Sequence, residues 1–415
     1  MIQAASNRTH TVTHTQEGVM TRRKLAALFV PLAAIAAVAV VAAATAATPK
    51  PIVIGWAFDS KGAMAPFDNP ALAAANVRVG QINARGGVKG RQLKIVTCDT
   101  QGNKPAIASA CAAKLLGQNV DIVFTTCDVD FAAPVVQKAI NAGKLTIAPC
   151  IGTDQMGPKR FGPKGNLAFS FGNVAQDEGS AMAQYAWAKG WRSAALATDT
   201  VIVYFKDVVK AFKARFTQLG GKVVAQESYQ SLGSTSQQNV ITKLNGAKAD
   251  VIVTATAGSF GALPQIVAGL RTLDNQTPIL NSWAGDGTYW VTKEPQVTNY
   301  YYVTFASAFG DDPVPAVNAL SKKLGKATYG IGGFVTGSAA IDGVVTAINR
   351  AGGSTNGVKL AAQMVKFKKV PTLSGLVSFS PLLHTVFGRQ YRVIKIQDNN
   401  AKVVGSVTAK VVPKI

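Results

Sequence analysis

The stretch Thr125-Thr126-Cys127-Asp128-Val129-Asp130-Phe131 sets two carboxylates two residues apart, beside a cysteine and directly after the apolar run 120–124. Such a cluster serves as an acid pair in hydrolysis, as part of a metal site, or as a disulfide beside a ligand mouth. Histidine narrows the choice. The chain has three, and His10 and His14 lie in the N-terminal segment, leaving His384. A Ser-His-Asp or Cys-His mechanism has to run through that residue, and no G-x-S-x-G turn accompanies it. Zinc sites built on two or three histidines are excluded. Hydrolysis by carboxylates alone (Asp128, Asp130, Asp199 and Asp286) remains as an alternative, in a chain with only 21 acidic residues and no glutamate in its candidate loops. The four cysteines, Cys98, Cys111, Cys127 and Cys150, are an even, clustered set. In an exported chain such a set reads first as two disulfides. Zinc is the runner-up, without a Cys-x-x-Cys pair or a nearby histidine.

Export is read from the first 47 residues. Arg22, Arg23 and Lys24 precede an Ala-rich apolar run, 25–43, and Ala44-Thr45-Ala46 offers a cleavage site. This is the layout of a cleavable secretory signal, with Met20 as an alternative start and an uncleaved anchor as the rival. The adjacent arginines leave both the general and the twin-arginine routes open, and no cysteine near the cut offers a lipid anchor. The expected location is periplasmic. The formal charge is +22. The lysines are scattered singly rather than gathered among aromatics, so a solvated basic surface is expected and nucleic acid is not.

The remaining length suggests two domains. Apolar runs alternate with helical patterns: strands at 51–58, 91–98, 120–126 and 144–150, helices at 70–84, 104–116 and 131–142. The rhythm restarts after 173, with helices at 177–189, 205–219, 237–246 and 261–273 and strands at 193–199, 222–229, 249–256 and 277–283, then one near 300. Helices near 315–324, 335–351 and 358–367 follow, then a strand-rich tail turning at Asp398-Asn399-Asn400. Continuous Val/Ile runs between helices of about a dozen residues indicate parallel βαβ units. In such sheets ligands bind at the strand carboxyl ends. The distinctive polar loops fall there: DSKGAMAPFD, TCDVD, CIGTDQM, TDTVIVYF and AGDGTYW.

On these features, and above all on INARGGVKGRQLKIVTCDTQGNKPAIASACAAKLL (82–116), the chain resembles the leucine/isoleucine/valine-binding receptors of ABC transporters. The resemblance covers about residues 51–400. It implies an α/β protein of the type I periplasmic-binding fold: two Rossmann-like lobes with parallel central sheets and a three-segment hinge. Lobe I would hold residues 48–172 and 308–373, and lobe II residues 173–307 and 374–415. It implies a monomer without cofactor or metal that passes a small solute, an amino acid or a relative, to a membrane permease. A sensor for another solute, feeding a signalling partner, is the alternative.

The implied ligand set is Phe67, Cys127, Asp128, Val129, Ile151, Gly152, Thr153, Tyr204, Ser259 and Asp286. Within it Thr153 would hold an α-carboxylate, Tyr204 would lie over the ligand, and Asp286 would pair with an α-ammonium. Where the family offers small hydroxyl residues, this chain has Cys127, Asp128, Val129 and Asp130. The acids would repel a ligand carboxylate if dry and inward-facing. They face solvent, or accept a hydrogen bond from the ligand, or the ligand is not an amino acid. Asp130 is expected to cap the helix at Phe131, with Asp128 at the rim or in the pocket. In the 2-1-3-4-5 strand order of this fold, Cys127 and Cys150 end neighbouring strands, so the expected disulfides are Cys127–Cys150 and Cys98–Cys111. Cys98–Cys127 is the rival pairing.

Overall fold

A computed structural model of the protein describes residues 49–233 and 236–415. The expected signal segment, 1–47, lies outside the described residues. The first half runs β1 (Ile52–Phe58), α1 (Ala65–Asn83), β2 (Leu93–Asp99), α2 (Pro105–Gly117), β3 (Ile122–Phe124), α3 (Val129–Asn141), β4 (Leu145–Ala148), the single turn α4 (Pro158–Phe161) and β5 (Ala168–Asn173). Its strands pair in parallel in the order β2-β1-β3-β4-β5. Both faces are covered, which is why these strands read as continuous apolar runs. On one face Cys111, Leu115, Val135 and Ala139 of α2 and α3 bury Ala57 and Val123. On the other, α1 supplies Ala71, Ala74 and Ala75 over Ile52, Ile54 and Trp56.

The second half repeats the plan with α5 (Ala175–Ala188), β6 (Ser193–Asp199), α6 (Val203–Gln218), β7 (Lys222–Tyr229), α7 (Gln238–Gly246), β8 (Val251–Ala255), α8 (Ala262–Thr272), β9 (Ile279–Asn281) and β10 (Tyr300–Thr304). After it come α9 (Pro315–Leu324), α10 (Val335–Arg350), α11 (Gly357–Met364), β11 (Val370–Thr372), β12 (Gly375–Val377), β13 (Thr385–Val386), β14 (Tyr391–Gln397) and β15 (Asn400–Val407). The second sheet has seven strands, β15-β14-β10-β9-β8-β6-β7, with the β14–β15 hairpin antiparallel at its edge. Helix α10 returns to pack on α1 and β5.

Three local expectations are corrected. Helix α1 starts at Ala65, not at Pro70: Pro66 occupies its first turn and Pro70 lies inside. Either proline suits a helix start, and the sequence pattern favoured the wrong one. Helix α3 is capped by Asp128, not Asp130. Asp128 has extended backbone, φ −134° and ψ 141°, and its carboxylate accepts from the N–H groups of Asp130 and Phe131. The last passage between sheets falls later than 373, because β13 still pairs with β5 of the first sheet and the chain reaches the second only at β14. Both disulfides, Cys98–Cys111 and Cys127–Cys150, are formed, with Cα atoms 5.5 and 4.8 Å apart.

Candidate functional site

The carboxyl ends of the two sheets meet around one small cavity. From the first sheet come Met64 and Phe67 after β1, Cys127 and Asp128 after β3, and Gly152 after β4. From the second come Ile202, Tyr204 and Phe205 after β6, Ala257 and Phe260 after β8, and Trp283 and Ala284 after β9. The walls are therefore apolar and largely aromatic. The free volume is about 20 Å3. That is room for one water and far short of the ~300 Å3 of an ordinary small-molecule site, so a solute enters only when the two sides part.

Several contacts join the sides. Phe67 meets Trp283 edge-on at 5.2 Å, and Phe131 meets Phe260 at 6.3 Å. The Tyr204 ring lies directly on Gly152, where a Cβ would come within 2.6 Å of the ring, so a side chain at 152 is incompatible with this approach. The Ser259 hydroxyl donates to the Ala63 carbonyl at 2.6 Å. Asp130 reaches furthest. Its Oδ2 accepts the Val203 N–H at 2.9 Å, and its Oδ1 pairs with Arg160 at 2.6 Å. Val203 opens α6, whose N-cap Ile202 has no side-chain acceptor of its own. A carboxylate from the opposite sheet thus satisfies a free amide at the positive end of that helix.

Buried acids hold the loops behind these walls. Asp68 accepts the Cys127 N–H at 2.9 Å and the Asp59 N–H at 2.8 Å, and burial pushes its carboxyl up to about 8. Glu178, on α5, accepts the Trp283 N–H at 2.6 Å and the Tyr204 hydroxyl at 2.8 Å. Burial likewise raises it to about 8. One carboxyl group therefore fixes two pieces of the wall. Asp128 is pushed up to about 7, first by burial and then by the neighbouring Asp130.

Of the residues expected from the sequence, Phe67, Cys127, Asp128, Gly152 and Tyr204 come together around the cavity. Val129 and Ile151 are wholly buried in the core, and the Ile151 carbonyl accepts from the Ser170 hydroxyl. Thr153 is buried behind Gly152, its carbonyl taken by the Thr385 hydroxyl at 2.6 Å. Ser259 bridges the sides without lining the space. Asp286 is fully buried, accepting from the Thr304 hydroxyl at 2.6 Å and the Gly333 N–H at 3.1 Å; burial raises it to about 7. Sequence reasoning missed Met64, Ile202, Phe205, Ala257, Phe260, Trp283, Ala284 and Glu178. A signal existed for several: Met64, Ile202 and Phe205 are large apolar side chains inside the very loops placed at strand ends. Glu178 gave none, since it acts through Tyr204 and Trp283.

Two of the residues weighed for catalysis are committed elsewhere. His384 is buried and stacked on Phe169 at 4.1 Å, with Nδ1 on the Ala168 carbonyl. Asp199 accepts from the Thr256 hydroxyl at 2.7 Å and from the Val201 and Ser231 amides.

Two mainly parallel α/β sheets whose loops face each other across an apolar, partly aromatic cavity define a class, the hinged binders of small solutes. Residues 51–401 match the periplasmic binding protein family, and the chain belongs to it. An amino acid binding protein of Pseudomonas aeruginosa is 25% identical over 338 residues, 78% of this chain and 84% of that one. Among solved structures, the branched-chain amino acid transporter substrate binding protein LivJ of Streptococcus pneumoniae, in complex with isoleucine, superposes with a TM-score of 0.73 at 23% identity, covering 88% of this chain and all of that one. A solute binding protein of an ABC transporter from Rhodopseudomonas palustris HaA2, in complex with p-hydroxybenzoic acid, gives 0.74 at 18% identity, over 87% and 98%. The chain is thus a solute-binding protein of the type I periplasmic fold.

Proposed function

We propose that the protein is exported and captures a small solute with an apolar or aromatic body, an amino acid or a relative of one, for delivery to the membrane permease of an ABC transporter. Residues 1–47 act as the signal. One lobe is built on the six-stranded sheet, residues 49–173 and 308–386, and the other on the seven-stranded sheet, residues 174–307 and 387–415. The observation that carries the reading is the cavity itself. Phe67, Phe205, Phe260 and Trp283 converge on it from both sheets, at the strand ends where this architecture holds ligands. The isoleucine and p-hydroxybenzoic acid held by the two relatives are bodies that such walls suit.

A thermal-melt screen tests it, using branched-chain and aromatic amino acids and hydroxybenzoates. At a hundred times a micromolar Kd, binding stabilises the protein by about 2.7 kcal/mol, a rise in Tm of roughly 2 °C or more for a chain of this size. A screen in which no solute moves Tm, together with no small molecule in the mass spectrum of the purified protein, contradicts the reading.

A further inference from the structure

Two polar groups of the cavity wall are engaged by the protein, and a third is a buried donor packed on backbone. The Tyr204 hydroxyl donates to Glu178. The Cys127 sulfur is in a disulfide and its N–H is bound to Asp68. The Trp283 indole N–H has no hydrogen-bond partner among the described residues; that edge of the ring packs on Gly333, where a Cβ would lie 2.7 Å from Nε1. Asp128 differs. It lines the cavity and is only 3% exposed. Its Oδ1 caps α3, accepting from Asp130 N–H at 2.9 Å and Phe131 N–H at 3.4 Å. Its Oδ2 accepts no hydrogen bond among the described residues. Within a site otherwise walled mainly by apolar and aromatic side chains, one carboxyl oxygen is left over for the guest.

We infer that Asp128 selects the guest: the site takes an apolar or aromatic body bearing a hydrogen-bond donor (an amine, an amide or a hydroxyl) at the Asp128 end and rejects one that offers a free carboxylate there. The inference rests on the solute-receptor reading and narrows it. Once ionised, a carboxyl accepts from N–H or O–H groups and has nothing to give an anion, so the comparison is made at pH 8.5, above the point near 7 to which burial raises Asp128. A guest carboxylate in this place would set two acids together away from water. Asp130 is already beside Asp128, and the nearby cation, Arg160, is paired with Asp130. A guest that lacks such a donor is discriminated against strongly, because the buried acceptor then stays unpaired.

The test uses three probes with one body and three heads: benzylamine, benzamide and benzoate, titrated calorimetrically into the wild type and Asp128→Asn. Asparagine caps helices as well as aspartate, so the variant keeps the α3 cap while its second head atom becomes a donor. Wild type should prefer benzylamine or benzamide to benzoate by at least tenfold, and Asp128→Asn should shift the benzoate-to-benzylamine ratio at least tenfold towards benzoate. Benzoate binding as tightly as benzylamine to wild type, or a ratio within twofold in the variant, overturns the inference while leaving the receptor reading intact. In parallel, both proteins are incubated with a cell extract, and the retained solutes are identified by mass spectrometry. Wild type should retain donor-bearing solutes, and acids lacking any other polar group refute the role of Asp128. If neither protein binds a probe or retains a solute, the receptor reading itself fails and takes the inference with it.

Discussion

Replacing Asp130 by alanine should make the closed form harder to reach. Asp130 sits on α3, beside the first sheet, and its bond to Val203 N–H at 2.9 Å spans to the helix after β6 of the second. Its pairing with Arg160 is made within the first-sheet side and persists when the sides part. Only the Val203 contact is specific to closure. A hydrogen bond to a charged group contributes about 1.5–3 kcal/mol. The Asp130 side chain is 32% exposed, and water replaces both partners when the cleft opens, so the net loss is smaller. About 1 kcal/mol for the bond, with ~0.5 kcal/mol for the lost anion at the start of α6, gives roughly a tenfold shift in the closing equilibrium. Since the guest contacts both sides only when they meet, its apparent Kd should weaken by about the same factor, mostly through faster release. Calorimetry and stopped-flow dissociation with the best solute from the melt screen measure this. Arg160→Ala, which leaves the Val203 bond in place, should change Kd less than threefold. An Asp130→Ala protein with Kd and release rate both within twofold of wild type would refute the latch.

Other outcomes follow from the same contacts. Gly152→Val, which sets side-chain atoms where the Tyr204 ring lies, should weaken solute binding at least tenfold while circular dichroism stays unchanged. Removing the Cys127–Cys150 disulfide, which closes a 23-residue loop, should lower the unfolding free energy by about 3 kcal/mol, read from urea midpoints. Asp68 and Glu178 are raised to about 8 and Asp128 and Asp286 to about 7 by burial, so the folded protein holds protons that the unfolded chain releases near pH 4. Stability should therefore fall as pH rises from 5.5 to 8.5, by up to ~1.4 kcal/mol per group and pH unit, and a higher urea midpoint at pH 8.5 contradicts it. Glu178→Gln keeps an acceptor for Trp283 N–H and Tyr204 OH without the titration, and should flatten that decline.

Local periodicity carried most of the fold. The Val/Ile runs of β1, β3 and β8 and the helical patterns between them are one-dimensional signals, as is the Asp398-Asn399-Asn400 turn between β14 and β15. What the sequence hid was set by three-dimensional choice. Pro66 and Pro70 are equally good helix starts, and the helix begins at the first, with Phe67 of its opening turn in the cavity wall. Asp128 and Asp130 are equally good caps. The one with extended backbone caps α3, which frees the other to cross the cleft. Strand β13 is two residues long, too short to show alternation, yet it moves the last crossing beyond 386. Phe260 lay between an expected strand and helix and Trp283 at the end of an expected strand, outside the loops singled out for binding, and only the meeting of the two sheets shows that they face a common space.

As a solute receptor the protein parts its two sides to admit a solute and closes them on it. Small-angle X-ray scattering of the protein, titrated with the solute that raises its Tm most, measures this directly. The radius of gyration should fall on saturation towards the value calculated for this closed structure, with Asp130→Ala needing more solute to reach it. A solute that raises Tm while the scattering profile of the wild type stays unchanged would contradict it.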